Sequence, residues 1–329
     1  MKSAGSIQQQ RHCNYSKREI EFKIINYKVY IWRSIYRMYY IVYPLVYLFS
    51  LLPFFILYAI SDLIAFLLHS VFKYRRDVVL GNLRIAFPGK TEEERKKIAR
   101  KFYQYFTDTF IESIKCISIS KKELEKRNTG SYELINGLLD RGYNINVLGG
   151  HQFNWEYGSL LYSLHTKIPI TAVYMPISNK VVDKIFYDIR TRYGSVFVSA
   201  ADFKNTVDTL TKKQYILALA ADQNPGDPRY AYWIRFFGRP TPFVTGPEKG
   251  AVKNDAAVVF VNFKKVKRGH YHFEPRLLAE HTADRKEGEL TCLYRDALED
   301  SIRDDPANYL WSHRRFKFEW KEEDGAVMG

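Results

Sequence analysis

The chain has 329 residues and a mass of 38.7 kDa, enough for one large domain or two ordinary ones with a core that needs no staples. Its 46% apolar and 26% charged residues exclude a disordered chain and a multi-spanning carrier; its three scattered cysteines, Cys13, Cys116 and Cys292, exclude a disulfide framework or a zinc ribbon. Fifty lysines and arginines against 36 aspartates and glutamates leave a net charge of +14, which requires an acidic partner: nucleic acid, an anionic membrane or an acidic carrier protein.

Residues 1–38 form a basic arm with eight lysines and arginines against Glu19 and Glu21, a net of +6. Apolar sequence follows at once. No charged residue occurs from Met38 to Ser61, and after Asp62 the apolar character continues to the basic cluster Lys73, Arg75 and Arg76. A bilayer crossing needs roughly 20 apolar residues, so the run is long enough. Tyr39, Tyr40, Tyr43 and Tyr47 sit where an interfacial aromatic belt would lie, and residues 39–76 are predicted to anchor the chain to an anionic membrane. Pro44 and Pro53 can break the run into helices that lie in the interface, and a buried helical hairpin is the alternative. The run is too long for a cleaved signal peptide, and no small-residue cleavage site follows it.

Residues 77–329 read as one catalytic domain. Thr91 followed by Glu92, Glu93 and Glu94 marks a helix start, and Ile98, Phe102, Phe106, Phe110 and Ile114 recur at a helical period. From residue 144 short apolar runs at 145–149, 168–174, 195–199, 215–220 and 256–263 alternate with helical segments at 154–165, 179–193, 202–213 and 246–254. This alternation predicts an α/β fold with a largely parallel sheet flanked by helices. The run 270–278 follows Lys267-Arg268-Gly269 closely enough to be an antiparallel hairpin partner, making the sheet mixed at one edge. A closing helix is expected within 288–306.

The first predicted strand ends in Gly149-Gly150, followed by His151, Gln152, Phe153, Asn154, Trp155 and Glu156. Ligands of open α/β sheets bind at the carboxyl ends of the strands. On one continuous helix His151 and Glu156 would stand roughly 140° apart, so His151 is expected on the glycine turn before the helix. From the first turns Glu156 can then reach back to one ring nitrogen, leaving the other to take a proton. With no partner serine or cysteine beside it in sequence, the pair predicts a general base acting on the substrate's own hydroxyl, the logic of direct acyl transfer. The same spacing also arises by chance, and a structural role for the pair stays open on residue types alone.

Further blocks accompany this motif in order: Gly81-Asn82-Leu83-Arg84 with Ala86-Phe87-Pro88; Tyr174, Pro176, Asn179 and Asp183 leading to Arg190-Thr191-Arg192-Tyr193-Gly194; Asp222-Gln223; the stretch 236–251; and 309–317. With them, residues 45 to 318 resemble the bacterial lipid A late acyltransferases, the lauroyl and myristoyl transferases, a group that includes phosphatidylinositol mannoside acyltransferases. Phe153 and Met175 depart from the family pattern, where glycine and arginine are usual. The resemblance implies a glycerolipid acyltransferase-like fold. It also implies a bacterial inner-membrane enzyme, its catalytic domain facing the cytoplasm, that moves a fatty acyl chain from acyl carrier protein to a hydroxyl of a lipid A precursor. No metal or organic cofactor and no nucleic-acid partner is expected.

On this reading His151 abstracts the acceptor proton, worth about 10² to 10⁴ in rate, and Glu156 orients it. Asn154 is a candidate for substrate binding or a helix N-cap. Arg190 and Arg192 are candidates for the acceptor's phosphate or the developing oxyanion, with a helix C-terminal charge preference as the alternative. Asp222 and Gln223 stand at the end of another strand on the ligand side, where turn capping is the alternative. Arg314 lies in a donor-rich cluster at 311–315 suited to phosphates, and Thr241 to Pro247 opens a helix whose amides could hold an anion. A different lipid acceptor (lysophospholipid, glycolipid or amino-lipid) is the second enzyme reading. A membrane-anchored binding protein is the reading from another class, opposed by the absence of any RNP, helix-turn-helix or finger motif.

Overall fold

A computed structural model describes residues 37–329, so nearly all of the basic arm lies outside the described residues. The chain is helical over residues 37–51 (α1), and Pro44 does not interrupt it. The break comes at Leu52 and Pro53, after which α2 (Phe54–Phe66) runs on through a π turn at Leu67–Val71. Pro53 has no N–H to donate to a preceding turn, which makes it a natural first residue for a new helix. Phe54–Val71 is the one helical stretch among the described residues long and apolar enough to cross a membrane.

Three helices follow, α3 (Arg76–Ala86), α4 (Glu92–Lys115) and α5 (Lys121–Arg127). The expected start of α4 is a capping box: Thr91 Oγ1 accepts from the Glu94 N–H at 3.2 Å, and the Glu94 carboxylate accepts from the Thr91 N–H at 2.7 Å. Its inward face differs from the predicted stripe, because Phe110 is exposed while Phe102, Tyr103, Thr107, Asp108 and Glu112 are buried. The cause is α2, which lies along α4 and turns a polar row inward; Ser61 Oγ bonds Asp108 at 2.8 Å and Thr107 at 3.0 Å.

The remainder comprises β1 (Asn128–Gly130) and α6 (Glu133–Asp140), which were not predicted, and then β2 (Ile145–Gly149), α7 (Trp155–His165), β3 (Ile170–Tyr174), α8 (Lys180–Arg190), β4 (Val196–Ser199), α9 (Ala200–Leu210), β5 (Ile216–Ala220), β6 (Tyr232–Phe236), β7 (Arg239–Phe243), α10 (Gly246–Lys253), β8 (Ala257–Lys267), β9 (His270–Ala279) and α11 (Glu289–Asp304), which apart from β6 and β7 alternate as expected. Seven strands form one sheet in the order β1-β9-β8-β2-β5-β3-β4. It is a mixed, mostly parallel α/β sheet: β8, β2, β5, β3 and β4 run parallel, and β9 pairs antiparallel with β8 as the sequence predicted. The side hairpin β6–β7 was not predicted; Pro240 and Pro242 in β7 conceal a strand in sequence, since neither can donate to a ladder.

Strand alternation sorts the core into two layers. Leu148, Val258 and Phe260 face one side, with α3, α4, α11 and the side hairpin; Ile145, Val259 and Val261 face the other, with α6 and α7. The carboxyl ends of β2 and β5 emerge between these layers.

Candidate active site

In the parallel ladder Gly149 of β2 is level with Ala220 of β5. The chain positions two residues beyond each strand are therefore neighbours, and they are His151 and Asp222. His151 Nδ1 lies 2.6 Å from Asp222 Oδ1, and the His151 backbone N–H donates to Asp222 Oδ2 at 2.9 Å. One buried carboxylate thus holds both the ring and the main chain of the histidine. Nε2 has no protein partner among the described residues, and the imidazole keeps about a quarter of its surface open.

The glycine turn makes this approach possible. A Cβ on Gly150 would collide with Leu298 Cδ1, so a larger residue there requires that buried side chain of α11 or the turn itself to shift. The segment is pinned from the far side, where the Leu310 N–H donates to the His151 carbonyl at 3.1 Å and the Phe153 N–H donates to Asn308 Oδ1 at 2.9 Å. Tyr294 donates its hydroxyl to the Gly149 carbonyl at 2.9 Å.

Burial pushes the His151 pKa down, but the charge of Asp222 and the hydrogen bond to it outweigh this and leave it raised above 6.5. Burial works on Asp222 in the opposite sense, and the His151 interactions together with the Arg315 charge hold its pKa below the ordinary value. Arg315 is fully buried: Nη1 donates to Asn224 Oδ1 and the Pro242 carbonyl, each at 2.9 Å, and the guanidinium lies 4.3 Å from the Phe243 ring. Burial takes the neighbouring His313 down to about 4, so that ring is neutral near pH 7.

Glu156 does not hold the histidine. It is buried in the first turn of α7 and is clasped by Arg190, whose Nη2 donates to Oε1 at 2.6 Å and whose Nε lies 3.0 Å from Oε2; Trp155 Nε1 adds a third bond at 3.1 Å. The helix axis sets this direction, because the first turn of α7 faces the end of α8 while the glycine turn swings His151 toward β5. Sequence proximity favoured the wrong carboxylate.

The other predicted residues divide cleanly. Asn154 is the N-cap of α7, its Oδ1 accepting from the Glu156 and Tyr157 N–H groups at 3.1 and 3.3 Å; it is buried and does not face a ligand space. Arg192 points away and caps the end of α4, with Nη1 donating to the Cys116 and Ile119 carbonyls at 2.8 and 2.9 Å. Gln223 is half-buried beside Asp222, and Arg314 is exposed while its neighbour Arg315 points inward. Thr241 to Phe243 belong to β7, and the helix begins only at Gly246. Sequence reasoning missed the inward role of Arg315 and the flanking Tyr294 and Tyr309; the run Trp311 to Phe316 carries no periodicity that marks which arginine turns inward.

Beside the pair an apolar cleft runs between α7 and the sheet. Gly149, Ala172, Ala218 and Ala220 leave its floor open, Trp155 and Glu156 stand on its wall, and Tyr162 and Ile170 lie deeper. A mostly apolar channel with polar groups at one end suits an alkyl chain whose reactive head lies outside. Burial raises the Cys116 thiol far above its ordinary pKa, which makes it an inert core thiol, not a nucleophile. No group of three or more His, Cys, Asp or Glu among the described residues is placed to hold a metal ion.

The family model described as bacterial lipid A biosynthesis acyltransferase matches residues 29–318. A lipid A biosynthesis lauroyltransferase of Escherichia coli (strain K12) is 24% identical over 270 residues, 81% of this chain and 87% of that protein. A lipid A biosynthesis acyltransferase of Haemophilus influenzae is 25% identical over 243 residues, 73% of this chain and 74% of that protein. The protein is an acyltransferase. More narrowly, the chain belongs to the family of bacterial lipid A biosynthesis acyltransferases, enzymes of acyl transfer to lipid A.

Proposed function

We propose that the protein transfers a fatty acyl chain from the thioester of acyl carrier protein to a hydroxyl of a lipid A precursor, with His151 as general base and Asp222 as its orienting carboxylate. The observation that carries this reading is the 2.6 Å contact that commits Nδ1 to a buried carboxylate and leaves Nε2 without a partner among the described residues, on the turn whose Gly150 lines the apolar cleft. Nε2 takes the acceptor proton as the oxygen attacks the thioester carbonyl. The carbon–sulfur bond then breaks, and the leaving thiolate is protonated by the imidazolium. Asp222 stabilises that imidazolium, in the manner of the carboxylate of a catalytic triad. Arg190, beside the cleft, is the candidate for the acceptor phosphate or the oxyanion, and the +14 chain suits an acidic carrier and an anionic lipid.

Membrane attachment is part of the same reading, with the catalytic domain on the cytoplasmic side of the inner membrane. Ile41, Leu45 and Leu48 of α1 and Phe55, Leu63 and Phe66 of α2 are exposed apolar residues. The opposite sides of these helices are tied to the domain, through the Tyr39 hydroxyl on Asp188 at 2.9 Å and through Ser61 on Asp108. Helices held along one side and apolar along the other favour a seat in the interface plane.

The test uses membranes containing the full chain, radiolabelled acyl–acyl carrier protein and a tetra-acylated lipid A precursor, followed by mass spectrometry of the lipid. His151→Ala is expected to lower transfer by about 10² to 10⁴ at unchanged expression. Equal transfer by the variant and the parent would overturn the assignment of the base, and a product built on another lipid would overturn the acceptor.

A further inference from the structure

Deep in α4 lies a carboxylate that the chemistry above does not use. Glu112 is fully buried, and its two oxygens receive three donors from three different elements. Oε1 accepts from the Tyr58 hydroxyl of α2 at 2.9 Å; Oε2 accepts from the Tyr271 hydroxyl of β9 at 2.7 Å and from Asn154 Nδ2 at 3.0 Å. Burial pulls its pKa up, opposed chiefly by the Lys265 ammonium.

The third contact matters most. A side-chain amide is a donor at one end and an acceptor at the other. With Nδ2 given to Glu112, Asn154 must present Oδ1 to the N–H groups of Glu156 and Tyr157, which is the orientation that caps α7. Glu156, fixed by that cap, holds Arg190 beside the cleft. An unbroken series of hydrogen bonds therefore runs from Tyr58, on the apolar helix α2, through Glu112 and Asn154 to Glu156 and Arg190. His151 and Asp222 stand outside it.

We propose that Glu112 is a positioning residue that ties the seating of α2 to the placement of Glu156 and Arg190, so that the membrane-facing helix and the substrate-binding wall of the cleft are set together. The inference rests on the functional reading given above. It predicts a defect in substrate positioning, leaving the proton chemistry of His151 intact.

The experiment exchanges donor and acceptor across the contact in the full-length, membrane-bound protein. Glu112→Gln can place its amide N–H₂ against that of Asn154, and Asn154→Asp places two carboxylates face to face. Asn154→Asp is expected to lower kcat/KM for acyl transfer about tenfold, mostly through KM, and Glu112→Gln by less, about threefold, because its amide can still turn Oε1 to Asn154 and Nε2 to the Tyr58 oxygen. The double variant Glu112→Gln/Asn154→Asp restores one acceptor at the α7 cap and one donor opposite, and is expected to recover kcat/KM to within about threefold of the parent. Tyr58→Phe, which removes only the α2 contact, is expected to raise KM about threefold. In all four variants the acidic limb of the pH–rate profile stays where it is in the parent.

A double variant no better than its worse single overturns the proposal, as does a shifted acidic limb, and parental kinetics in Tyr58→Phe overturn the link to α2. If Glu112→Gln does not fold, recovery of a cooperative thermal transition in the double variant reads the same exchange. His151→Ala is measured in parallel. Restored kinetics in the double variant alongside an active His151→Ala would leave the network standing and sink the mechanism; an inactive His151→Ala with no restoration would do the reverse.

Discussion

Arg190 closes on Glu156 with both Nε and Nη2, at 3.0 and 2.6 Å, and the carboxylate that receives them is almost wholly buried. The glutamate five residues after His151 is thus bonded to Arg190 and not to the histidine. Glu156→Gln is expected to reduce kcat/KM about tenfold while the acidic limb of the pH–rate profile remains unmoved. Glu156→Ala leaves a largely buried guanidinium without its counter-charge, and unfolding followed by circular dichroism is expected to show a loss of about 3 kcal/mol.

Asp222→Asn separates the two carboxylates. The His151 pKa is raised above 6.5 by Asp222, so the neutral base accumulates only above that value and activity rises with pH through it. Without the Asp222 charge the limb is expected to move to lower pH, while the maximal rate falls about 10² to 10⁴ because the tautomer is no longer fixed. Stability carries the same signature. The His151 contribution is full below 6.5 and is lost as pH climbs through the raised value. The Asp222 contribution is full above 3.8 and is lost as pH falls through the lowered value. The gap in unfolding free energy between parent and Asp222→Asn is therefore widest between these pH values.

Filling the cleft tests its occupant. Ala218 pairs with Val147 and Ala172 on the cleft floor. Ala218→Leu is expected to shift the preferred donor toward shorter acyl chains, each excluded methylene forfeiting about 0.8 kcal/mol of binding. Product masses from a mixture of donors of different length read the result directly, and an unchanged distribution would place the chain elsewhere.

Gly150→Ala is expected to lower transfer at least about tenfold, since the new methyl group collides with the buried Leu298 and strains the histidine turn against Asp222. Shortening the obstacle in Gly150→Ala/Leu298→Ala is expected to return part of the activity. A double variant as inactive as the single one would trace the defect to something besides that collision.

The sheet and its flanking helices were readable in the chain because a buried strand such as Ala257–Val261 is an unbroken apolar run and a helix such as α4 carries its own cap and period. The approach of His151 to Asp222 was not readable, since 71 residues separate them and their contact depends on β2 and β5 being neighbours. Only the strand order supplies that fact. The local rule that ranked Glu156 first considered one helix and ignored the adjoining strand. Arg314 and Arg315 show the same limit on a smaller scale: one position decides which guanidinium turns inward, and that depends on the fold of the tail against β7.

Because the ladder between β2 and β5 sets the level at which both chains leave the sheet, the separation of imidazole and carboxylate is inherited from main-chain spacing, about 4.8 Å between strands. Apart from Gly150, loop sequence around the two residues is then comparatively free to drift, whereas loop length is not. Deleting or inserting one residue between Gly149 and His151, or between Ala220 and Asp222, would turn a side chain to the opposite side of the sheet and undo the pair without altering any residue in it.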